Sequence, residues 1–242
     1  MSIYLITGAA RGIGLELVRQ LSSDASTIVI ATVRALTPEL QHLGDERNNV
    51  RIVTCDVSSG ESVSSLSTTL PTVLPHGDKI THLLNNAGVV AQRDVQATSM
   101  TAAALTENIT INTLGPARVT EAVLPFLAPN ALIVNISSGI GSLQLLANGN
   151  IPPQATAYSV SKAALNMLTV HQAYELKGRY RVVCLDPGHV KTRLGGDQAG
   201  VEIYDSAAGI IKTIGGLNDD PEGDRQNGKA RFVDFGGKEV PW

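Results

Sequence analysis

The sequence predicts an α/β fold made of one doubly wound domain, its sheet mainly parallel and seven-stranded, with helices on both faces. Three observations lead there. Short β-branched apolar runs recur along the whole chain. They are apolar almost throughout rather than alternating, as strands covered on both faces are. Longer stretches with helical apolar spacing separate them, the alternation that gives parallel crossovers.

Taken in order, the first run is IYLI (3–6), followed by the loop TGAARGIG (7–14) and a helical stripe of Ile13, Leu17, Val18 and Leu21. TIVIATV (27–33), VRIVTCDV (50–57), ITHLLNN (80–86) and ALIVNIS (131–137) supply the next four strands. Leu165, Leu168 and Leu176 mark a later helix, and YRVVCLD (180–186) and ARFVDF (230–235) complete the seven. Residues 1–242 read as a single domain, without repeats, low-complexity tracts or a linker. The stretch from about 188 to 229 is rich in Gly and Asp and reads as a substrate-binding loop region.

Composition narrows the function. Forty-three per cent hydrophobic and 17% charged residues describe a globular chain, and 19 basic against 22 acidic residues leave a net charge of −3. No strong field favours nucleic acid or an anionic membrane. No apolar run reaches the ~18–20 residues of a membrane span, and no basic and apolar leader opens the chain. Cys55 and Cys184 are far apart, outside any C-x-x-C, and read as buried free thiols of a reducing compartment, so the expected location is cytoplasmic. The triplets NIT at Asn108 and NIS at Asn135 fall in apolar segments and read as chance. Five histidines (42, 76, 82, 171, 189) form no metal-binding pattern, so no metal is expected. NDDPEG (218–223) opens like a calcium loop, but its twelfth position is Lys229, and it reads as a solvated turn. No G-x-S-x-G occurs, which removes a serine hydrolase's nucleophile elbow.

The loop TGAARGIG follows the first strand and opens the first helix, the context of a Rossmann-type dinucleotide site. Gly8 permits the tight turn, Gly12 admits a pyrophosphate, and Gly14 lets helix lie on strand, with Ile13 between them. The helix N-terminus then offers N–H groups and partial positive charge to phosphate. At the end of the second strand, where an NAD site places an acid on the ribose 2′-hydroxyl, the chain reads IATVR, with Arg34 instead. Arg11 adds a second guanidinium nearby. Two forked cations suit a 2′-phosphate, so the expected cofactor is NADP(H).

Four further stretches, CDV (55–57), NNAG (85–88), the SS…YSVSK run ending in Tyr158 and Lys162, and DPGHVKT (186–192), join TGAARGIG and INTLG (111–115). With them the chain resembles the short-chain dehydrogenase/reductase family from end to end. Its DFGGKEVPW ending also resembles the sniffer and C-factor-like carbonyl reductases within that family. The resemblance implies a catalytic tetrad of Asn112, Ser138, Tyr158 and Lys162, Asn112 holding a water that links Lys162 to solvent. It implies that Asp56 bonds the adenine amino group with Val57 beside the ring, that Asn86, Ala87 and Gly88 line the cofactor, and that Val190 and Thr192 hold the carboxamide. Of the adjacent Ser137 and Ser138 the family pattern favours the second, and strand alternation agrees that only one can face the pocket. A dimer through helices near 101–127 and 155–176 is also implied.

The residues support that chemistry independently. Tyr158 and Lys162 stand at i and i+4, on one helical face. A free tyrosine titrates near 10, and an adjacent ammonium together with an oxidised nicotinamide is expected to draw it downward, toward the working pH. Ser138 can hydrogen-bond a carbonyl where negative charge develops. Nineteen residues separate Ser138 from Tyr158, more than is usual in the family. That insertion reshapes the substrate mouth or disturbs the serine. Its SLQLL stretch offers Leu143, Leu145 and Leu146 as an apolar edge and Gln144 as a polar contact. The expected activity is reduction of an apolar or aromatic ketone or aldehyde. The alternatives are oxidation of a secondary alcohol with NADP⁺ and a non-catalytic NADP(H)-binding regulator, which would typically have lost Tyr158 or Lys162.

Overall fold

The structure, a computed structural model, describes residues 1–75, 77–196, 198–218 and 222–242. His76 and the centre of NDDPEG lie outside them. The strands are β1 (Ser2–Thr7), β2 (Thr27–Val33), β3 (Val50–Thr54), β4 (Ile80–Asn85), β5 (Leu127–Ile136), β6 (Arg181–Asp186) and β7 (Arg231–Asp234). The helices are α1 (Gly12–Leu21), α2 (Pro38–Glu46), α3 (Gly60–Ser64), α4 (Leu66–Val73), α5 (Ala102–Ile109), α6 (Gly115–Val123), α7 (Leu143–Ala147), α8 (Thr156–Glu175), α9 (Ile203–Asn218) and α10 (Glu222–Asn227).

All seven strands form one sheet in the order β3-β2-β1-β4-β5-β6-β7, and every neighbouring pair is parallel. The strands are apolar throughout because both faces are covered. Along β1 and β2, Ile3, Leu5, Ile28 and Ile30 enter one core with Leu66, Leu70, Val119 and Val123. Tyr4, Ile6, Val29 and Ala31 enter the other, with Leu17, Val18, Leu40, Ile210 and Ile214. Successive residues feed opposite layers, as a pleated strand requires. The strand order reverses at β1 and β4, and in open α/β sheets the ligand crevice opens there, beyond the strands' carboxyl ends.

Two segments differ from the sequence expectation. The region from 188 to 229 is not irregular throughout: Ala207, Ile210, Ile214 and Leu217 recur at helical spacing and bury α9 in the core beside α1. Gly209 brings α9 close to the turn after β7, where a Cβ would stand 2.6 Å from the Phe235 ring. Strand β3 stops at Thr54, because Asp56 turns the chain by accepting hydrogen bonds from the Ser58 amide (2.9 Å) and hydroxyl (2.7 Å). Beyond β7 the chain doubles back. Val240 N–H donates to Phe232 O (2.8 Å), and the Trp242 ring lies 5.5 Å from that of Phe232.

Helix α8 departs from a simple amphipathic pattern. Its buried side carries Ser161, Lys162, Asn166, Thr169 and Gln172 beside Ala157, Leu165 and Ala173, while Val160, Met167, Val170 and Tyr174 are exposed. These polar groups of α8 are paired, as buried ones generally are, whereas across the sheet Asn85 Oδ1 is buried without a partner among the described residues. Asn85 donates to Asn135 Oδ1 (2.9 Å), and Asn135 donates to Thr169 Oγ1 and Gln172 Oε1 (both 2.9 Å). This row crosses from β4 through β5 to α8 and fixes the height at which α8 presents Tyr158 and Lys162. Among the described residues no helix is long and apolar enough to cross a membrane.

Candidate active site

The glycine loop is shaped by contacts that exclude side chains. Gly8 has φ +68°, and a Cβ on it would stand 2.8 Å from the Ala87 backbone, at the point where β1 and β4 diverge. A Cβ on Gly14 would overlap the Gly8 carbonyl oxygen and reach within 2.6 Å of Asn86 Nδ2. Asn86 Nδ2 donates to Thr7 O (2.8 Å), and the Asn86 and Ala87 amides both donate to Thr7 Oγ1 (3.0 Å each). NNAG is thus stitched to the end of β1. Arg11 occupies the cap position of α1 without a side-chain cap, so the first-turn N–H groups carry no capping oxygen. Ile13 is half-buried against the core. Arg11 and Arg34 are both exposed. Arg34 lies near enough to Asp56 to help hold that carboxyl low, after the larger effect of the Ser58 hydroxyl. Val57 is buried and packs on Gly115 of α6.

On the other side of the crevice, Val190 and Thr192 lie in a loop closed by a bridge between Val190 and Val201, with Lys191 N–H donating to Val201 O (2.8 Å). Thr192 comes against Gly12, its methyl 3.4 Å from where a Cβ would stand. The loops after β1 and β6 therefore meet across the crevice.

Tyr158 and Lys162 are buried on the first two turns of α8, with Lys162 Nζ 5.7 Å from the tyrosine ring centroid and donating to Ile136 O (2.7 Å). Pro152 and Pro153 precede the helix, and Ala155 at φ +47° turns the chain into it. Ser137 is buried and donates to Asn166 Oδ1 (2.6 Å), whereas Ser138 is half-buried and its hydroxyl hydrogen-bonds Tyr158. Strand alternation thus separates the two serines. Asn112 sits in a π-helical turn, Thr110–Leu114, between α5 and α6. Its Oδ1 accepts from Val89 N–H, and its Nδ2 donates to Val89 O and Ser161 Oγ, all at 2.9 Å. A Cβ on Gly88 would lie 3.4 Å from Asn112 Oδ1 and 3.8 Å from Lys162 Nζ, so the crevice wall adjoins the tetrad.

The expected downward shift of Tyr158 is not met in the protein alone. Burial raises its hydroxyl far above its ordinary range and Asp186 adds to this, while the Ser138 hydrogen bond and the Arg93 charge oppose them. The same burial lowers Lys162 to about 8, against the negative charge of Asp186. Desolvation outweighs the pairwise attraction inferred from i,i+4 spacing.

The insertion after Ser138 folds as a 3₁₀ turn, Gly139–Gly141, and then α7. Of its leucines, Leu146 packs with Ile140, Ala155, Val90 and Tyr158. Leu143 is 75% exposed, Leu145 is half-buried beside the Ser142 cap, and Gln144 is exposed with its backbone N–H donating to Trp242 O (3.0 Å). Sequence reasoning passed over Val90, Arg93 and Asp186. Val90 follows NNAG directly, and Asp186 begins the DPGHVKT stretch, but nothing local signals that either faces the tyrosine. Among the described residues no three His, Cys, Asp or Glu side chains gather in a metal-binding group.

Residues 2–200 match the short chain dehydrogenase family. A 1-hydroxy-2-glutathionyl-2-methyl-3-butene dehydrogenase from Rhodococcus sp. is 33% identical, covering 97% of this chain and 100% of its own. The C-signal protein of Myxococcus xanthus is 40% identical over 66% of this chain and 91% of its own. Among solved structures, an NADPH-bound carbonyl reductase from chicken fatty liver superposes with a TM-score of 0.87 at 32% identity, and the carbonyl reductase Sniffer of D. melanogaster with 0.87 at 31%; each covers 100% of both chains. With its seven-stranded parallel sheet and its match over most of its length, this chain belongs to the short chain dehydrogenase family of oxidoreductases.

Proposed function

We propose that the chain is an NADP(H)-dependent carbonyl reductase. The observation that carries this reading is the meeting, beyond the carboxyl ends of β1, β4 and β5, of a side-chain-free glycine crevice with Ser138, Tyr158 and Lys162. The nicotinamide cofactor, when bound, supplies the hydride. The glycine turn and the uncapped start of α1 suit a pyrophosphate, and exposed Arg11 and Arg34 suit a 2′-phosphate. Asn86, Ala87 and Gly88 line that crevice, and Val190 and Thr192 close its far side. NADP(H) binding in the neighbouring chicken enzyme supports the choice.

Tyr158 holds its proton through neutral pH and donates it to the carbonyl oxygen, while Ser138 hydrogen-bonds the same oxygen as negative charge develops. Lys162, buried, resupplies the proton through a water held at Asn112 that links it to solvent, and the Asn112 side chain fixes Val89 and the crevice wall. Residues 139–157 carry no charged side chain, and Leu146, Ile140 and Val90 surround the tyrosine, which favours an apolar or aromatic ketone or aldehyde. Run in reverse, the same residues oxidise a secondary alcohol. The buried thiols of Cys55 and Cys184 fit a reducing, cytoplasmic setting.

The test is NADPH oxidation against a panel of aryl ketones, quinones and aldehydes. Turnover is expected. Tight NADPH binding without turnover on any member, or with NADP⁺ and secondary alcohols, indicates a redox-sensing regulator instead. Arg11→Ala combined with Arg34→Ala is expected to lower the preference for NADPH over NADH by roughly 10²-fold or more, because hydrogen bonds to charged groups contribute about 1.5–3 kcal/mol each. An unchanged ratio of kcat/KM for the two cofactors removes the arginines from that role.

We also propose a homodimer through α8, whose exposed Met167 and Tyr174, 59% and 62% accessible, lie along one apolar stripe with Val160 and Val170. Sedimentation velocity is expected to give a dimer that Met167→Lys dissociates. A wild-type monomer at all concentrations excludes it.

A further inference from the structure

Asp186 ends β6 beside the tetrad and belongs to none of the roles above. Its carboxylate touches two turns at once. Oδ1 accepts from Gly188 N–H (3.1 Å), in the turn leading to Val190 and Thr192. The Gly139 backbone, next after Ser138, lies against the same carboxylate: a Cβ on Gly139 would stand 3.0 Å from Oδ2, and the amide there helps hold the carboxyl low. These turns follow different strands, β5 and β6, and one carries the hydroxyl that bonds Tyr158. A second carboxylate stands beside it. Asp186 is paired in register with Asp234 of β7, whose Oδ1 is taken up by the Gly236 and Lys238 amides (2.9 Å each).

We propose that Asp186 is a positioning residue of the reaction, its carboxylate stapling the Ser138 turn to the Val190–Thr192 loop so that carbonyl-polarising hydroxyl and cofactor loop keep a fixed spacing. This rests on the reading of Ser138 and Tyr158 as reductase residues. The staple also sets charge at the site. The groups facing Tyr158 are Ser138 from the β5 end, Lys162 from its own helix, Arg93 from the loop after β4, and Asp186 from β6. Burial raises the Asp186 carboxyl above its ordinary range and the Asp234 charge adds to this, while the Gly188 and Gly139 amides and Lys162 oppose them. The negative charge of Asp186 raises both Tyr158 and Lys162.

Asp186→Asn keeps the shape, removes the charge and cannot accept from both amides with both atoms. The expected result is a kcat lower by about 10- to 100-fold, the scale of a small misplacement of reacting groups. NADPH affinity, read by cofactor fluorescence, stays close to wild type because the pyrophosphate half is held elsewhere. The alkaline limb of the reduction profile moves to lower pH, since Tyr158 and Lys162 then lose their protons more readily. A merely structural role leaves that limb in place. Wild-type kcat with an unmoved limb overturns the proposal. If Asp186→Asn does not fold, Asp234→Asn keeps its two hydrogen bonds through the amide oxygen and removes the like charge beside Asp186. The acid limb then moves to lower pH, and an unmoved acid limb overturns the proposal. Tyr158→Phe on the same substrate separates the two ideas. If that variant stays active the reductase reading fails, and if it is inactive while Asp186→Asn behaves as wild type, the staple alone fails.

Discussion

Tyr158→Phe is expected to lower kcat for carbonyl reduction by about 10²–10⁴-fold, the range for loss of a positioned general acid. The phenyl ring keeps the packing against Ile140, Ala155 and Leu146, so melting temperature and NADPH affinity should change little. What disappears is a hydroxyl that burial keeps protonated and that receives the Ser138 hydrogen bond. The pH profile of the wild type follows the same reasoning. Lys162 is lowered to about 8, so above that pH it loses the proton it relays, and reductive kcat is expected to decline from about pH 8 upward. Steady-state rates from pH 6 to 10 check this, and a Tyr158→Phe variant retaining most of its activity defeats the mechanism.

Gly14→Ala is expected to damage stability and cofactor binding together. The new methyl group has no outlet: it meets the Gly8 carbonyl oxygen on one side and Asn86 Nδ2 on the other. Both are anchored, Gly8 by the turn out of β1 and Asn86 by its bond to Thr7 O. Overpacking of this kind costs about 1–3 kcal/mol, and for a chain of this size each kcal/mol lowers the melting temperature by about 2–4 °C. Relief requires α1 to move away from β1, which shifts the first-turn N–H groups that suit a pyrophosphate. NADPH Kd should rise at least about tenfold, equivalent to 1.4 kcal/mol. Thermal melts with and without NADPH measure both effects, and wild-type values in both would mean the crevice is not where the cofactor sits.

The strands were legible because burial on both faces leaves an uninterrupted apolar run, and the glycine loop because its spacing follows directly on the first of them. Tyr158 and Lys162 were legible as i,i+4 neighbours; alternation said only that one of Ser137 and Ser138 faces the pocket, and the family pattern supplied the choice of Ser138. Helix α9 was hidden because Gly209, Gly215 and Gly216 dilute its pattern, although Gly209 is what allows the close approach to Phe235. Helix α8 shows only a weak apolar face in the sequence because its buried side mixes Ser161, Asn166 and Thr169 with Leu165 and its exposed side carries Val160, Met167 and Tyr174. Asp186 could not be read at all, since its partners Gly139 and Gly188 come together only through the pairing of β5 and β6. The titration of Tyr158 in the protein alone was not legible, because spacing shows a neighbouring ammonium and does not show desolvation.

The strand order also bears on how the chain can be made. As it emerges during synthesis, β1 can pair with β2 and β2 with β3, but the other edge of β1 has no partner until β4 appears. That open edge belongs to a strand of fully buried apolar residues, Ile3, Leu5 and Ile6 among them. An unpaired apolar edge invites pairing between chains. The arrival of β4 both seals it and brings Ala87 against Gly8, so a nascent chain stalled before residue 80 is aggregation-prone and has no cofactor crevice to be rescued by ligand.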